Sequence, residues 1–348
     1  MAGRVKQRRG LIETSHAKLD ALVYTNSERR GGAAVILHPY ALLGGSMEDH
    51  VVAELFRAAA SSPAFSLVVR YNQRGVGRSS GSMNVRGKED MADVLDVVEW
   101  AAEQLPGPDK QVAVVGYSWG SCLAAYGLSH PAVAAYVGVS FPLGGLSFVL
   151  QTRRHFGEVC RASHVPRLLL IGDQDQFTKE EALRQAVLES GGALLRQDDS
   201  FEPQADAAAA GAATTGPGAG AAAAGAVGGG AASPAPAAAL PGAERRQLLL
   251  RVFPDSDHFW MSHASLAAEY AVAWLQSLLQ PGPQAGTEPG AEPGTAAAHA
   301  EAAGTEASAE KPAAAAGDPP QPAGDAAPAP PAAATLNSAQ VVVTGAYS

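Results

Sequence analysis

Three residues are the most able to carry out chemistry. One is a serine that lies between two glycines, and the others are an aspartate and a histidine much further along the chain. The sequence GYSWG at 116–120 places Ser118 in a G-x-S-x-G pattern, directly after an apolar run at 112–115. In this pattern a strand turns abruptly into a helix and presents the serine hydroxyl at the end of the strand. The pattern predicts a nucleophilic Ser118; a surface serine in a glycine-rich turn is the alternative.

A serine hydroxyl needs a general base to take its proton, and the base needs an acid that orients it. His258 follows the last strand-like apolar run, and Asp175 follows the run before it. Asp173 is the rival acid, and His263 is the rival base. A turn histidine bonded to nearby carboxylates is the other interpretation of His258.

Acyl transfer also needs hydrogen-bond donors for a developing oxyanion. One donor is expected to be the backbone N–H of Trp119, the residue after the nucleophile. The second is expected from the loop HPYALLGGSM at 38–47, which follows an apolar run at 34–37. We assign the N–H of Tyr40 to this role, against the alternative of an ordinary strand–helix loop.

Other motifs do not predict a cofactor or a metal. His258 and His263 form an H-x4-H spacing without further ligands, which is weak evidence for a metal site. GVGRSSG at 75–81 lacks the G-x-G-x-x-G spacing of a dinucleotide site, so we interpret it as a structural turn. Cys122 lies on the same presumptive helix as Ser118 and is expected to be a small buried residue.

Short apolar runs alternate with helical patterns along the chain. Continuous apolarity is typical of strands covered on both faces, as in a parallel sheet. An antiparallel pair is expected at 11–14 and 19–24, and Thr178 with Glu181 predicts a capping box on a helix that ends near Gly191. The pattern predicts a doubly wound, mostly parallel α/β sheet. Its central strands are expected at 34–37, 67–71, 112–115, Val133–Val139, 168–171 and 248–253, with a striped helix over 91–105.

Composition limits the folded part to one domain. Of the 24 prolines among the 348 residues, sixteen lie within 203–241 and 281–348, both rich in alanine. Such segments bury too little apolar surface to offset the entropy of ordering them. We therefore predict one domain over 11–280, interrupted by a disordered insert at 203–241. A basic flexible N-terminus at 1–10 precedes it, and a disordered acidic tail at 281–348 follows it.

Charge and cysteine content limit the class of protein and the cellular compartment in which it is expected. Most of the net charge of −9 belongs to the tail, so the folded part has no basic footprint for nucleic acid. The basic residues within 1–10 are not followed by an apolar run, which argues against a secretory signal. An apolar run of about 18 residues, long enough to span a membrane, is also missing. Two cysteines are too few for a disulfide framework. A cytoplasmic location is expected, with organellar targeting as the alternative.

The sequence resembles the α/β-hydrolase superfamily, most closely the small serine hydrolases related to dienelactone hydrolase and prolyl oligopeptidase. The resemblance covers most of 11–280 in order and rests on HPYALLGGSM, RYNQRGVGRSSG, GYSWG, LLLIGDQDQF and PDSDHFW. It implies a triad of Ser118, Asp175 and His258, with Asp175 rather than Asp173 in the family's G-x-x-D pattern. This chain reads His38-Pro39-Tyr40-Ala41 where relatives often read His-Pro-His-Pro, which affects the entrance of the site.

These observations predict a serine hydrolase that cleaves a small-molecule carboxylic ester or thioester through an acyl-enzyme, without a cofactor. Only about 25 residues separate Ser140 from Pro166, where many relatives insert a helical cap. A minimal cap predicts an open site, which we expect to be lined by Phe141, Leu143 and Phe148.

Two other functions remain open at this point. One is a serine peptidase, although no second carboxylate or arginine pattern that would fix a peptide terminus is evident. The other is a binding protein of the same fold without turnover, which recruits protein partners through the tail.

Overall fold

The structure, a computed structural model, describes residues 5–145, 147–199, 247–279 and 341–342. Within these residues, ten strands form one sheet in the order β10-β1-β2-β4-β3-β5-β6-β7-β9-β8. The strands are β1 (Val5–Glu13), β2 (Lys18–Asn26), β3 (Gly32–Leu37), β4 (Phe65–Tyr71), β5 (Val112–Tyr117), β6 (Val133–Val139), β7 (Arg167–Gln174), β8 (Ala193–Leu194), β9 (Leu248–Asp257) and β10 (Val341–Val342).

Helices follow most of the parallel strands. The bounds are α1 (His50–Ser61), α2 (Lys88–Gln104), α3 (Trp119–Gly127), α4 (Ser147–Leu150), α5 (Thr152–Arg161), α6 (Glu180–Glu189) and α7 (Ala264–Leu278), with a 3₁₀ turn at Ala41–Leu43. The neighbours from β4 through β3, β5, β6, β7 and β9 to β8 pair in parallel, whereas β1, β2 and β10 pair antiparallel at one edge. The carboxyl ends of the parallel strands therefore meet along one edge of the sheet.

Two hydrophobic layers, one on each face, explain why the strands are apolar throughout. Val35 and Leu37 of β3 pack with α2 and α3, whereas Ala34 and Ile36 pack with α1 and α7. All six residues of β3 are buried. Because side chains alternate between faces, a strand covered on both sides has no polar position to alternate with.

The predicted doubly wound, mostly parallel sheet is confirmed, and the antiparallel pair lies at its edge. The prediction of a flexible N-terminus is wrong for residues 5–10. Val5 pairs with Asn26 and the ladder continues to Glu13, so backbone hydrogen bonds order this segment. The insert at 203–241 lies outside the described residues. So does the tail at 281–348, apart from Val341 and Val342, which pair with β1.

The predicted capping box is also wrong. The first helical residue of α6 is Glu180, and its N-cap, Lys179, forms no side-chain capping bond. The Thr178 hydroxyl instead donates to the Phe141 carbonyl at 3.0 Å and accepts the Leu143 N–H at 2.7 Å. The helix does end as expected, since Gly191 lies just beyond it with a φ of +79°.

Candidate active site

The turn between β5 and α3 holds Ser118 in a strained conformation. Its φ of 51° and ψ of −120° lie where a residue with a side chain is rarely found. A Cβ atom on Gly116 would collide with the Gly120 carbonyl, so the turn can close only around glycine. The Ser118 N–H donates to the Val139 carbonyl at 2.8 Å, which ties the turn to β6. The strained turn thus presents this one hydroxyl at the edge of the sheet.

Gly120 brings a second loop to the same turn. A Cβ atom at Gly120 would collide with the Leu37 carbonyl and would lie 2.6 Å from the His38 carbonyl oxygen. The end of β3 therefore packs directly against the start of α3. This contact places the 38–47 loop, including Tyr40, beside Ser118.

The structure brings the three predicted triad side chains together. His258 Nε2 lies 3.0 Å from Ser118 Oγ, and His258 Nδ1 lies 2.8 Å from Asp175 Oδ2. The side chains of His258 and Asp175 are 4% and 0% exposed, so water does not compete for the bond between them. In this arrangement His258 can accept the hydroxyl proton of Ser118 while Asp175 fixes the orientation of the ring.

Asp175 is itself fixed by the backbone that follows it. Its Oδ1 atom accepts the N–H groups of Phe177 and Thr178, both at 2.9 Å, which leaves Oδ2 for His258. The rival residues lie elsewhere. Asp173 is exposed and its Oδ1 accepts the Ser256 N–H at 3.4 Å, whereas His263 Nδ1 lies 3.0 Å from Ser256 Oγ.

The loop that carries His258 is held from three sides. The Tyr117 hydroxyl donates to the His258 carbonyl at 2.9 Å, and the His258 N–H donates to Gln176 Oε1 at 3.1 Å. The ring of Phe177 lies against the imidazole, with 4.3 Å between the centroids. These contacts define the backbone position of His258 independently of its bonds to Ser118 and Asp175.

Trp119 and Tyr40, the two residues predicted to donate to an oxyanion, lie next to each other. Trp119 is the first residue of α3, so its N–H has no acceptor within the helix. Tyr40 precedes the 3₁₀ turn, and its ring packs edge-on against Trp119 at 5.6 Å between centroids. The Gly45 N–H donates to the Tyr40 carbonyl at 3.1 Å and closes the loop behind it.

His38 connects the loops after β3 and β4. Its Nε2 accepts the Gln73 N–H at 2.9 Å, while Gln73 Nε2 donates to the His38 carbonyl at 2.8 Å. The ring is fully buried, and this burial lowers the pKa of His38 to about 4. A neutral His38 therefore anchors the loop that carries Tyr40 at neutral pH.

The segment between β6 and β7 contains only α4 and α5, in agreement with a minimal cap. Of the three predicted lining residues, Phe148 is 91% exposed on α4, and Leu143 is 9% exposed. Phe141 is fully buried against Phe156, at 5.6 Å between ring centroids, so its side chain does not line an open site. The Trp119 side chain is likewise buried, between Tyr40 and the ring of His155.

Sequence patterns do not reveal several residues that shape the site. Tyr117 occupies a variable position of the G-x-S-x-G pattern, and its hydroxyl bonds the carbonyl of His258, which is 141 residues away in sequence. Ser140 has a φ of 50° at the end of β6, and its Oγ accepts the Trp260 indole N–H at 2.9 Å. The one available signal was the position of Ser140 directly after a buried strand, at the same sheet edge as Ser118. Within the described residues, no group of three or more His, Cys, Asp or Glu side chains is arranged to hold a metal ion.

Comparison with protein families gives one match. The model of the X-Pro dipeptidyl-peptidase family, called S15, matches residues 66–148. This range includes Ser118 and ends before Asp175 and His258. A search of curated proteins finds no matching sequence.

Solved structures match the fold over most of the chain. A candidate α/β hydrolase of unknown function from Agrobacterium tumefaciens is 17% identical, with a TM-score of 0.52, over 78% of this chain and 99% of that one. An esterase from Pyrococcus furiosus is 16% identical, with a TM-score of 0.50, over 78% and 92%. The protein Est1E from Butyrivibrio proteoclasticus, solved with ferulic acid bound, is 16% identical, with a TM-score of 0.50, over 76% and 96%.

The chain therefore has the α/β-hydrolase fold, and the predicted resemblance to that superfamily is confirmed. None of the helices in the part of the chain that the structure describes is both long and apolar enough to cross a membrane.

Proposed function

We propose that the protein is a serine hydrolase that cleaves carboxylic esters or thioesters through an acyl-enzyme. Ser118 is the nucleophile, His258 is the general base and acid, and Asp175 orients His258. The N–H groups of Trp119 and Tyr40 stabilise the oxyanion. The substrate is a small molecule rather than a nucleic acid.

The reaction follows from the positions of these groups. His258 Nε2 takes the proton of Ser118 Oγ as this oxygen attacks the carbonyl carbon, and the carbonyl oxygen becomes an oxyanion. His258 then returns the proton to the leaving alcohol or thiol as its bond to the acyl group breaks. Water, activated by the same ring, hydrolyses the acyl-enzyme and releases the acid. Each step uses only the named side chains and backbone groups of this chain.

One observation carries the proposal: Ser118 Oγ lies 3.0 Å from His258 Nε2 while Ser118 adopts a strained backbone conformation. The glycines at 116 and 120, where a Cβ atom would collide with backbone atoms, allow the close turn that brings this hydroxyl to His258.

The direct test is labelling with a fluorophosphonate, which reacts with an activated serine. We expect the wild type to be labelled and Ser118→Ala and His258→Ala to be unlabelled. Ser129→Ala and His164→Ala are matched controls, because both residues are exposed, Ser129 just after α3 and His164 just before β7. Full labelling of either triad variant, or none of a folded wild type, would contradict the proposal and favour a binding protein without turnover.

A peptidase is the second candidate, because the S15 family model matches the segment that contains Ser118. The two reactions share the triad and differ in the leaving group, an amine for the peptidase. A matched pair of substrates, a dipeptidyl amide with proline next to the scissile bond and the corresponding ester, separates them. Faster cleavage of the amide than of the ester would establish the peptidase.

We further propose a cytoplasmic location. Cys122 is buried and Cys160 is half-buried, and both are unpaired thiols, as expected in a reducing compartment. Fractionation of cells that express the tagged chain would test this location against an organellar one.

A further inference from the structure

Exposed apolar side chains are concentrated at the edge of the sheet that carries Ser118. Among the described residues, eleven large apolar side chains are exposed, and eight of them lie in segments that follow the carboxyl ends of β3, β4, β6 and β9. Exposed apolar patches at one place on a monomer mark sites that bind apolar ligands or partners. Because these side chains lie at the same sheet edge as Ser118, the ligand they would bind is the substrate.

Four of these side chains form what we call the apolar ridge: Leu42, Leu43, Met83 and Val85, which are 47%, 69%, 45% and 49% exposed. They come from two loops, those after β3 and β4. The loops are in contact, since the Tyr40 hydroxyl donates to the Val85 carbonyl at 3.1 Å. The ridge is therefore assembled from two loops that touch each other.

The ridge adjoins the predicted oxyanion site. Leu42 follows Tyr40 by two residues, and a Cβ atom on Gly87 would lie 3.1 Å from the Trp119 indole. In the sheet, β3 and β4 lie on one side of β5, whereas β9, which carries His258, lies on the other. The strands that lead into the ridge and the strand that carries the general base thus lie on opposite sides of β5.

This arrangement separates the two parts of an ester. The leaving group must lie next to His258 Nε2, because the ring protonates it. Phe177 and Phe259 are on that side, with Phe259 packed against the His258 ring at 5.7 Å between centroids. The acyl group must then extend in another direction from the carbonyl carbon, and the loops of the ridge provide an apolar surface there.

We propose that the substrates are esters or thioesters with an extended apolar acyl chain, which lies along the apolar ridge. This inference rests on the proposed hydrolase function. Burial of each methylene on such a surface should raise kcat/KM by about twofold to fourfold until the end of the ridge is reached. The preference should be absent for chains in the alcohol part of the ester.

The test uses the full-length protein and two ester series below their micellar concentrations. In the first series the leaving group is p-nitrophenol and the acyl group is acetyl, butyryl, hexanoyl or octanoyl. In the second the acyl group is acetyl and the alcohol lengthens from ethanol to octanol. We expect kcat/KM to rise along the first series and to stay nearly flat along the second.

Variants assign the preference to the ridge. Leu43→Ser and Val85→Ser should each lower the octanoate-to-acetate ratio of kcat/KM by about threefold or more. Leu188→Ser and Leu266→Ser are matched controls, because these leucines are 50% and 51% exposed on α6 and α7, away from the ridge. The controls should keep the wild-type ratio.

Labelling of Ser118 by the fluorophosphonate separates the two proposals. A labelled protein with a flat acyl series, or with a preference that follows the alcohol, overturns the ridge inference and leaves the hydrolase intact. A ratio that falls equally in ridge and control variants also overturns it. An unlabelled, inactive wild type overturns both.

Discussion

The Tyr117 hydroxyl donates a hydrogen bond of 2.9 Å to the His258 carbonyl. Tyr117 is the residue before Ser118, so this bond connects the nucleophile turn to the base loop without involving the catalytic hydroxyl. Both side chains are buried. The distance between Ser118 Oγ and His258 Nε2 is therefore fixed by the backbone on both sides, in addition to the hydrogen bond between them.

Tyr117→Phe should reduce activity without removing any triad group. The variant leaves the buried His258 carbonyl without this donor, at a cost of about 1–3 kcal/mol in unfolding free energy. The base loop is then less well fixed, and we expect kcat to fall about tenfold with little change in KM. Steady-state kinetics on p-nitrophenyl esters and urea unfolding measure both effects.

Tyr126→Phe is the matched control for this prediction. The Tyr126 hydroxyl is buried and has no hydrogen-bond partner within the described part of the chain. Its removal should leave kcat unchanged and should not lower stability. A Tyr117→Phe enzyme with wild-type kcat would show that the bond to His258 does not position the base.

Gly120→Ala should lower kcat strongly, because it displaces the loop that carries Tyr40. The added Cβ would lie 2.6 Å from the His38 carbonyl oxygen, so the end of β3 must move away from α3. Tyr40 moves with this segment. Loss of one oxyanion donor lowers kcat by about 100-fold or more, which a rate measurement with an activated ester would detect.

Gly145→Ala controls for the effect of the added methyl group itself. A Cβ at Gly145 would meet no atom within 4 Å, so activity and stability should stay at wild-type levels. If Gly120→Ala kept full activity, then contact between β3 and α3 would not be needed to place the oxyanion donors.

The fold could be predicted because its physical signal is local. A strand covered by helices on both faces is apolar throughout, as β3 and β5 are, and such runs can be recognised without knowledge of their neighbours. Strand ends were less accurate, because they depend on pairing. The run at 248–253 continues as β9 to Asp257, since the ladder with β7 extends to the pair Gln174 and Asp257.

The site was only partly predictable. Ser118, Asp175 and His258 follow recognisable strands, and their chain order limits the choices. Thr178 was assigned to a capping box, since the spacing to Glu181 is the same whether the hydroxyl bonds to its own helix or to another loop. Phe141 was expected to line the site, but apolar character alone does not show which way a side chain points at a strand end.

Thr178→Val should loosen two parts of the site: the position of Asp175 and the segment that begins at Phe141. The change preserves shape but removes the hydroxyl that bonds the Phe141 carbonyl and the Leu143 N–H. Leaving these buried groups without partners should lower the unfolding free energy by about 1–3 kcal/mol. Because the Thr178 N–H also bonds Asp175, kcat should fall together with stability.

Thr178→Ser distinguishes the hydroxyl from the packing of the methyl group. It retains both hydrogen bonds, so we expect most of the activity lost in Thr178→Val to be recovered. Urea unfolding and kcat for both variants test this. Wild-type kcat and stability in Thr178→Val, together with losses in Thr178→Ser, would mean that the methyl group, and not the hydroxyl, is what Thr178 contributes.

The dependence of stability on pH should include a contribution from His155. Its ring lies between Trp119 and Tyr126, at 5.2 and 5.3 Å between centroids, and burial lowers its pKa to about 4. The unfolded chain, with a pKa near 6.5, binds the proton more readily, so stability falls as the pH is lowered through this range. Between pH 7 and pH 5 this histidine should account for a loss of about 2 kcal/mol.

His155→Phe isolates this contribution. Phenylalanine keeps the edge-on packing against Trp119, and it removes a buried Nδ1 atom that has no hydrogen-bond partner among the described residues. Urea unfolding at pH 7 and pH 5 should show a smaller loss in the variant, by about 2 kcal/mol. His38 and Asp90, whose pKa values burial also shifts, are present in both proteins, so their effects cancel in the comparison.

His164→Gln, at an exposed position, is the control and should retain the wild-type loss of stability between pH 7 and pH 5. An unchanged pH dependence in His155→Phe would mean that this ring is protonated as readily in the folded chain as in the unfolded one.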